Sequence, residues 1–162
     1  MKGTDALGSI ERRDDHIDVR FVRHYPRPVE TVWSALTEPA RLADWMGAAS
    51  VEPRAGGRFQ LMLDGPHPMT GRVVVWDPPH VLEHEWRQRI VDDGVVRYEL
   101  AEDGAGTLLT FTHRGLSVRN AKGFIPGTHA FLDRLEAHLA GASLPNWSER
   151  YAEAAPAYPS WS

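Results

Sequence analysis

FIPGTHAFLDRLEAHLAG, residues 124–141, is the stretch that decides the fold. With successive residues turned by about 100°, Phe124, Thr128, Phe131, Leu132, Leu135 and Leu139 fall in one apolar sector, and Asp133, Arg134 and Glu136 lie outside it. The pattern predicts a long amphipathic helix that ends at Gly141, since glycine takes the left-handed conformation that closes a helix without steric cost. His129 lies at the edge of the sector. A helix with one apolar stripe must bury it against another layer, and the preceding residues supply that layer.

Six runs upstream read as strands: IDVRFVRHY (17–25), RFQLML (58–63), TGRVVVWD (70–77), VLEHEWRQR (81–89), VVRYEL (95–100) and TLLTFTH (107–113). Pro78-Pro79, Asp92-Asp93-Gly94 and Asp103-Gly104-Ala105-Gly106 separate the later ones, as turns do in an antiparallel meander. In 81–89 the alternation puts Leu82, His84, Trp86 and Gln88 on one face. Glu83, Glu85, Arg87 and Arg89 share the other, so the charged face is expected in solvent and His84 and Trp86 inside. In 107–113, Leu109, Phe111 and His113 form the better core face; 70–77 is ambiguous, with Val73 and Val75 competing against Val74 and Trp76. Between the first two strands, Pro28 and Pro39 suit first-turn positions. They open two short helices with apolar faces Val29/Val32/Trp33/Leu36 and Leu42/Trp45/Met46. Gly56-Gly57 reads as a turn or bulge and not as a phosphate loop, because no helix and no Lys-Ser/Thr follow it. The expected fold is α+β, a six-stranded antiparallel sheet wrapped around the long C-terminal helix, with two short helices after the first strand.

The composition is that of a folded chain: 162 residues, 42% hydrophobic and 25% charged. This excludes a largely disordered or collagen-like polymer. With no cysteine, a disulfide scaffold and thiolate metal sites are also excluded. A formal charge of −4 gives no electrostatic reason to expect nucleic acid. No apolar run is long enough for a membrane span, and the first residues lack a signal-peptide core, so a cytoplasmic location is expected. Residues 1–15 read as a mobile tail, 16–151 as one domain and 152–162 as a loosely structured tail.

The segment VWSALTEPARLADWMG (32–47) resembles the signature of the START/Bet v 1-like (SRPBCC) superfamily, in its activator of heat-shock-protein-90 ATPase-like branch. GGRFQLML (56–63), GRVVVWDPPHVLEHEW (71–86), GTLLTFTHRGL (106–116) and HAFLDRLEAHLAG (129–141) are similar to the same branch, in order. Together they span roughly residues 17 to 150. The resemblance implies a helix-grip fold around a cavity. One departure is visible: where branch members resemble a Gly-Trp pair just before the last helix, this chain reads Gly127-Thr128, which implies a reshaped cavity at that end.

The expected function is a binding module for a small hydrophobic or aromatic molecule. Phe59, Leu61, Trp76, Trp86, Phe111, Phe131 and Leu132 are expected to enclose the ligand, and His84, Tyr98, His113 and Thr128 to orient it. The competing reading makes each histidine a satisfied core residue. An enzymatic alternative, a cyclase or hydratase with His113 or His84 as general base, follows from what superfamily relatives resemble. No cofactor or metal is expected, since no His pair has metal-ligand spacing, and no Ser-His-Asp triad is expected, since no G-x-S-x-G elbow occurs. A homodimer is compatible with the sequence. A chaperone partner is disfavoured, because the chain reads as one domain without the extra N-terminal domain of the eukaryotic activators.

Overall fold

The computed structural model describes residues 7–63, 67–89 and 91–158. All six expected strands are present, and two more join them in one antiparallel sheet ordered β1-β2-β8-β7-β6-β5-β4-β3. They are β1 (Ser9–Arg13), β2 (His16–Tyr25), β3 (Ala48–Val51), β4 (Arg58–Met62), β5 (Met69–Asp77), β6 (Val81–Trp86), β7 (Gly94–Asp103) and β8 (Gly106–Leu116). Helices α1 (Val29–Thr37) and α2 (Pro39–Trp45) follow β2, as expected. The long helix α3 (Val118–Ala140) follows β8, and a further helix, α4 (Trp147–Ala154), follows α3.

The differences from the sequence reading have identifiable causes. Ser9–Arg13, expected to be tail, pairs with β2 from Ser9↔Arg20 to Arg13↔His16. An edge strand is held by backbone hydrogen bonds, and here Ile10 is the residue packed on the core, so no hydrophobic period announces it. The four-residue β3 is similarly brief and pairs with β4. The expected C-terminal tail is ordered as far as described: α4 runs to Ala154, a single 3₁₀ turn follows at Ala155–Ala157, and the Tyr158 hydroxyl accepts from the Gly8 amide at 2.9 Å. Residues 1–6 and 159–162 of the two expected tails lie outside the described residues.

Inward and outward faces follow the alternation. Ile17, Val19, Phe21, Arg23 and Tyr25 of β2 point to the core, as do Leu82, His84 and Trp86 of β6 and Leu109, Phe111 and His113 of β8. On β5 a register shift between Val73 and Val75 settles the ambiguity by burying Val73. One expectation fails: Glu83, on the charged face of β6, is buried. Arg97 at 2.9 Å and Arg114 at 3.4 Å close over its carboxylate.

Helix α3 begins six residues before Phe124. The Ser117 hydroxyl caps it by accepting from the Asn120 amide at 3.1 Å, and Gly141, at φ 69°, ends it as expected. Leu132, Leu135 and Leu139 are buried against the sheet, whereas Phe124, Thr128 and Phe131 are half-buried. Polar contacts fix the helix to β2. Tyr25 donates to the Leu132 carbonyl at 3.1 Å, and Arg23 reaches Asp133 at 2.8 Å. Arg150 of α4 binds the other oxygen of Asp133 at 2.7 Å. Burial raises the Asp133 pKa, but the His129 hydrogen bond and the Arg23 charge outweigh it and hold the carboxyl at about 2. The Tyr158 hydroxyl also lies 2.6 Å from His129 Nδ1, and His129 Nε2 faces Asp133 at 3.4 Å.

Leu135 is fully buried at the centre of this contact. Leu135→Ala is expected to cost about 2–5 kcal/mol in denaturant melts; a loss under about 0.5 kcal/mol, the range of a surface change, would mean that the helix does not rest on the sheet there.

Candidate ligand cleft

Asn120, Phe124, Gly127, Phe131 and Arg134 are spaced by alternating steps of four and three, which puts them on one stripe of α3. Within this stripe Phe124 reaches the sheet, edge-on to His113 at 4.8 Å and to Trp86 at 5.9 Å. The stripe borders a cleft of about 1020 Å³, whose opposite wall is formed by Trp86 of β6, Tyr98 of β7, and Phe111 and His113 of β8. Met62 at the end of β4, Leu63 after it, Trp45 to Gly47 around the end of α2, Val91 of the β6–β7 turn, and Trp147 and Tyr151 of α4 also line it.

Seven of the eleven residues expected at the site line this cleft: Trp86, Tyr98, Phe111, His113, Thr128, Phe131 and Leu132. Phe59, Leu61, Trp76 and His84 do not line it. Phe59 and Leu61 are buried in the core of β4, with the Phe59 ring stacked on His84 at 4.2 Å and 6°. Trp76 packs edge-on against Trp33 of α1 at 5.2 Å, so a helix covers that part of the sheet's inner face. The inward alternation was right for Phe59, Leu61 and His84, but an inward side chain can face either the cleft or solid packing. The competing reading holds for His84. Its Nδ1–H donates to the Glu85 carbonyl at 2.9 Å, and burial lowers its pKa to about 4, the hydrogen bond opposing.

His113 is different. Its Nε2 is buried and has no hydrogen-bond partner among the described residues. The ring sits edge-on to Phe124 at 4.8 Å and lies 5.6 Å from Trp86. It fits because Gly94 of β7 lies beside it, where a methyl would stand 2.8 Å from Nε2. Burial, with a lesser contribution from His84, lowers its pKa to about 3, so the imidazole is neutral and a weak base at neutral pH. The neighbouring polar groups are mostly satisfied. Trp86 Nε1 donates to Gln88 at 2.8 Å, and Gln88 in turn donates to the His67 carbonyl at 3.0 Å.

Gly127-Thr128 falls inside α3, not before it as the resemblance implied. An indole does lie at this level, from Trp147. Its Nε1 donates to the Gly127 carbonyl at 3.1 Å, and a methyl on Gly127 would come within 3.3 Å of its ring. Trp147, Tyr151, Arg119 and Arg134 were missed as lining residues. The pattern Asn146-Trp-Ser-Glu149 could have located α4, because the Asn146 side chain accepts from the Glu149 amide at 3.0 Å, as a helix cap does. Trp147 and Tyr151 then follow at i, i+4 on one face.

The family described as Activator of Hsp90 ATPase homolog 1-like protein matches residues 26–140. Among solved structures, CalU16 from Micromonospora echinospora is 27% identical, with 93% of each chain covered and a TM-score of 0.76. Protein MLL2253 from Mesorhizobium loti is 26% identical over 78% of this chain and 99% of that one, with a TM-score of 0.72. DynU16, described as a protein in the dynemicin biosynthetic locus, is 26% identical over 79% of this chain and 48% of its own, with a TM-score of 0.70. No curated protein matches. No helix among the described residues is long and apolar enough to cross a membrane.

The two buried imidazoles make stability depend on pH. Both folded pKa values lie below the ordinary 6.5, so the unfolded chain binds protons first as the solution is acidified. Their contribution is complete above about pH 6.5 and is lost as pH falls towards about 4 for His84 and about 3 for His113. His113→Leu should flatten this dependence by about one proton in urea melts from pH 7 to 4. An unchanged slope would mean that His113 is not buried neutral.

Proposed function

We propose that this chain, which belongs to the Activator of Hsp90 ATPase homolog 1-like protein family, is a binding module whose cleft holds a small hydrophobic or aromatic molecule. The observation that carries the proposal is the space of about 1020 Å³ beside Trp86, Phe111, Phe124 and Phe131. Pockets of this order bury most of a small ligand, and a few convergent polar groups set its orientation. Phe131 would enclose the ligand from α3 and Trp86 from β6. Tyr98, Thr128 and the unpartnered imidazole of His113 would supply those polar groups. The proposed setting is the cytoplasm, with the binding unit a single domain that takes in β1 and α4. The depressed pKa values of His84 and His113 weigh against either as a general base at neutral pH, because a base works best with a pKa near that of the medium.

Nile red, a neutral dye that brightens in apolar surroundings, should bind the native protein at about one per chain, as a pre-formed pocket allows. Thr128→Trp should fill the space and weaken binding by about tenfold or more while leaving the melting temperature within a few degrees. In a solid core the same change would be strain, costing about 1–3 kcal/mol with no dye binding to lose. That result would sink the reading.

A further inference from the structure

We propose that the cleft selects an amphipathic organic acid, an elongated apolar or aromatic body ending in a carboxylate that seats on Arg134; this rests on the cleft being a ligand site. Asp and Glu make up 22 of the 162 residues, yet none lines the cleft among the described residues, whereas Arg119 and Arg134 both do. The chain's net charge is −4, so this wall runs against the overall balance.

Arg134 is the better built of the two. It is half-buried on α3, and neutral acceptors hold its guanidinium: Nε donates to the Trp45 carbonyl at 2.9 Å, and Nη1 donates to the Pro145 carbonyl. Nη2 has no hydrogen bond, and the group has no carboxylate partner, among the described residues. Three other arginines with little exposure are neutralised, Arg23 and Arg150 by Asp133 and Arg97 by Glu83 and Glu99; half-buried Arg41 is held by His138 and Ser34 but does not line the cleft. Asp133, next to Arg134 in the chain, is taken up by Arg23 and Arg150 on the β2 side. A guanidinium fixed in advance gives up little freedom when it binds an anion and presents a fork suited to a carboxylate. The unmatched charge is therefore a recognition element ready for a negative group.

Arg119 lines the other end of the cleft, in the first turn of α3. At 1.5 Å of rise per residue it is roughly 22 Å from Arg134 along the axis. It is exposed and has no carboxylate partner among the described residues. The acidic group near this end, Asp92, accepts from the Ser117 amide at 3.0 Å and does not line the cleft. An exposed, mobile cation adds little affinity but draws anions in, so Arg119 steers and Arg134 anchors. Between them stand Phe124 and Phe131 on the helix and Trp86 and Phe111 on the sheet, an apolar length that the body of the ligand would cover.

The test compares two probes with the same body, 1-pyrenebutyric acid and 1-pyrenebutanol, titrated by fluorescence at pH 7 and low salt. The acid should bind at least about tenfold tighter, the value of one charge-assisted hydrogen bond. Arg134→Gln should bring the ratio of acid to alcohol affinity to about two or less. Arg119→Gln should slow association of the acid and change its affinity by no more than about threefold. Should Arg134→Gln fail to fold, the wild-type ratio measured in about 0.5 M salt must fall well below its low-salt value. Equal affinity of the wild type for acid and alcohol overturns this inference and leaves the cleft reading standing. Binding of neither probe overturns both.

Discussion

Helix α3 is held to β2 at one level by two kinds of contact: apolar burial of Leu132, Leu135 and Leu139, and the polar clamp of Arg23 on Asp133 and Tyr25 on the Leu132 carbonyl. The clamp is the constraint from which the rest follows. Asp133 is nearly enclosed between two arginines, and a buried pair that loses one partner leaves an uncompensated charge costing about 3–5 kcal/mol. This pins one side of the helix to the β2 edge of the sheet. The side bearing Phe124, Gly127 and Phe131 is turned away from β2, towards β6 to β8, and the cleft lies between.

The chain ends strengthen the same clamp. Arg150 comes from α4, and Tyr158 connects the Gly8 amide to His129 one turn before Asp133. Both flanking segments thus converge on one carboxylate. Trp147, placed over Gly127 by α4, forms part of the cleft wall while the same helix carries Arg150 to Asp133. Packing that stabilises the fold and packing that shapes the cleft are two faces of α4.

The meander and the two short helices were legible in the sequence because each buries one face and therefore shows a period. β1 and β3 were not, since SIERR and AASV are held by backbone pairing and carry little apolar pattern. The buried Glu83 shows the limit of the charged-face rule, because opposite charges on neighbouring strands can cover a carboxylate. At the site, alternation identified which side chains point inward, and Trp86, Phe111 and His113 were found that way. It could not separate His113 from His84, which share an inward direction but meet different surroundings. That difference depends on which part of the sheet α1 and α3 cover, and tertiary packing decides this. The arginines escaped notice for a related reason: outside the apolar sector, Arg134 looks like a solvent-facing charge until its carbonyl partners are seen.

Beyond the contact of Phe124 with His113 and Trp86, open, apolar space separates α3 from the inner faces of β6 to β8. Diffraction from crystals of the wild-type protein under xenon pressure tests this separation most directly, since xenon enters apolar cavities without needing a specific partner. Xenon is expected between Phe131 and the Trp86–Phe111 wall, with the α3 backbone unmoved. Phe131 closed down on Phe111 and Trp86, with no xenon there, would contradict it.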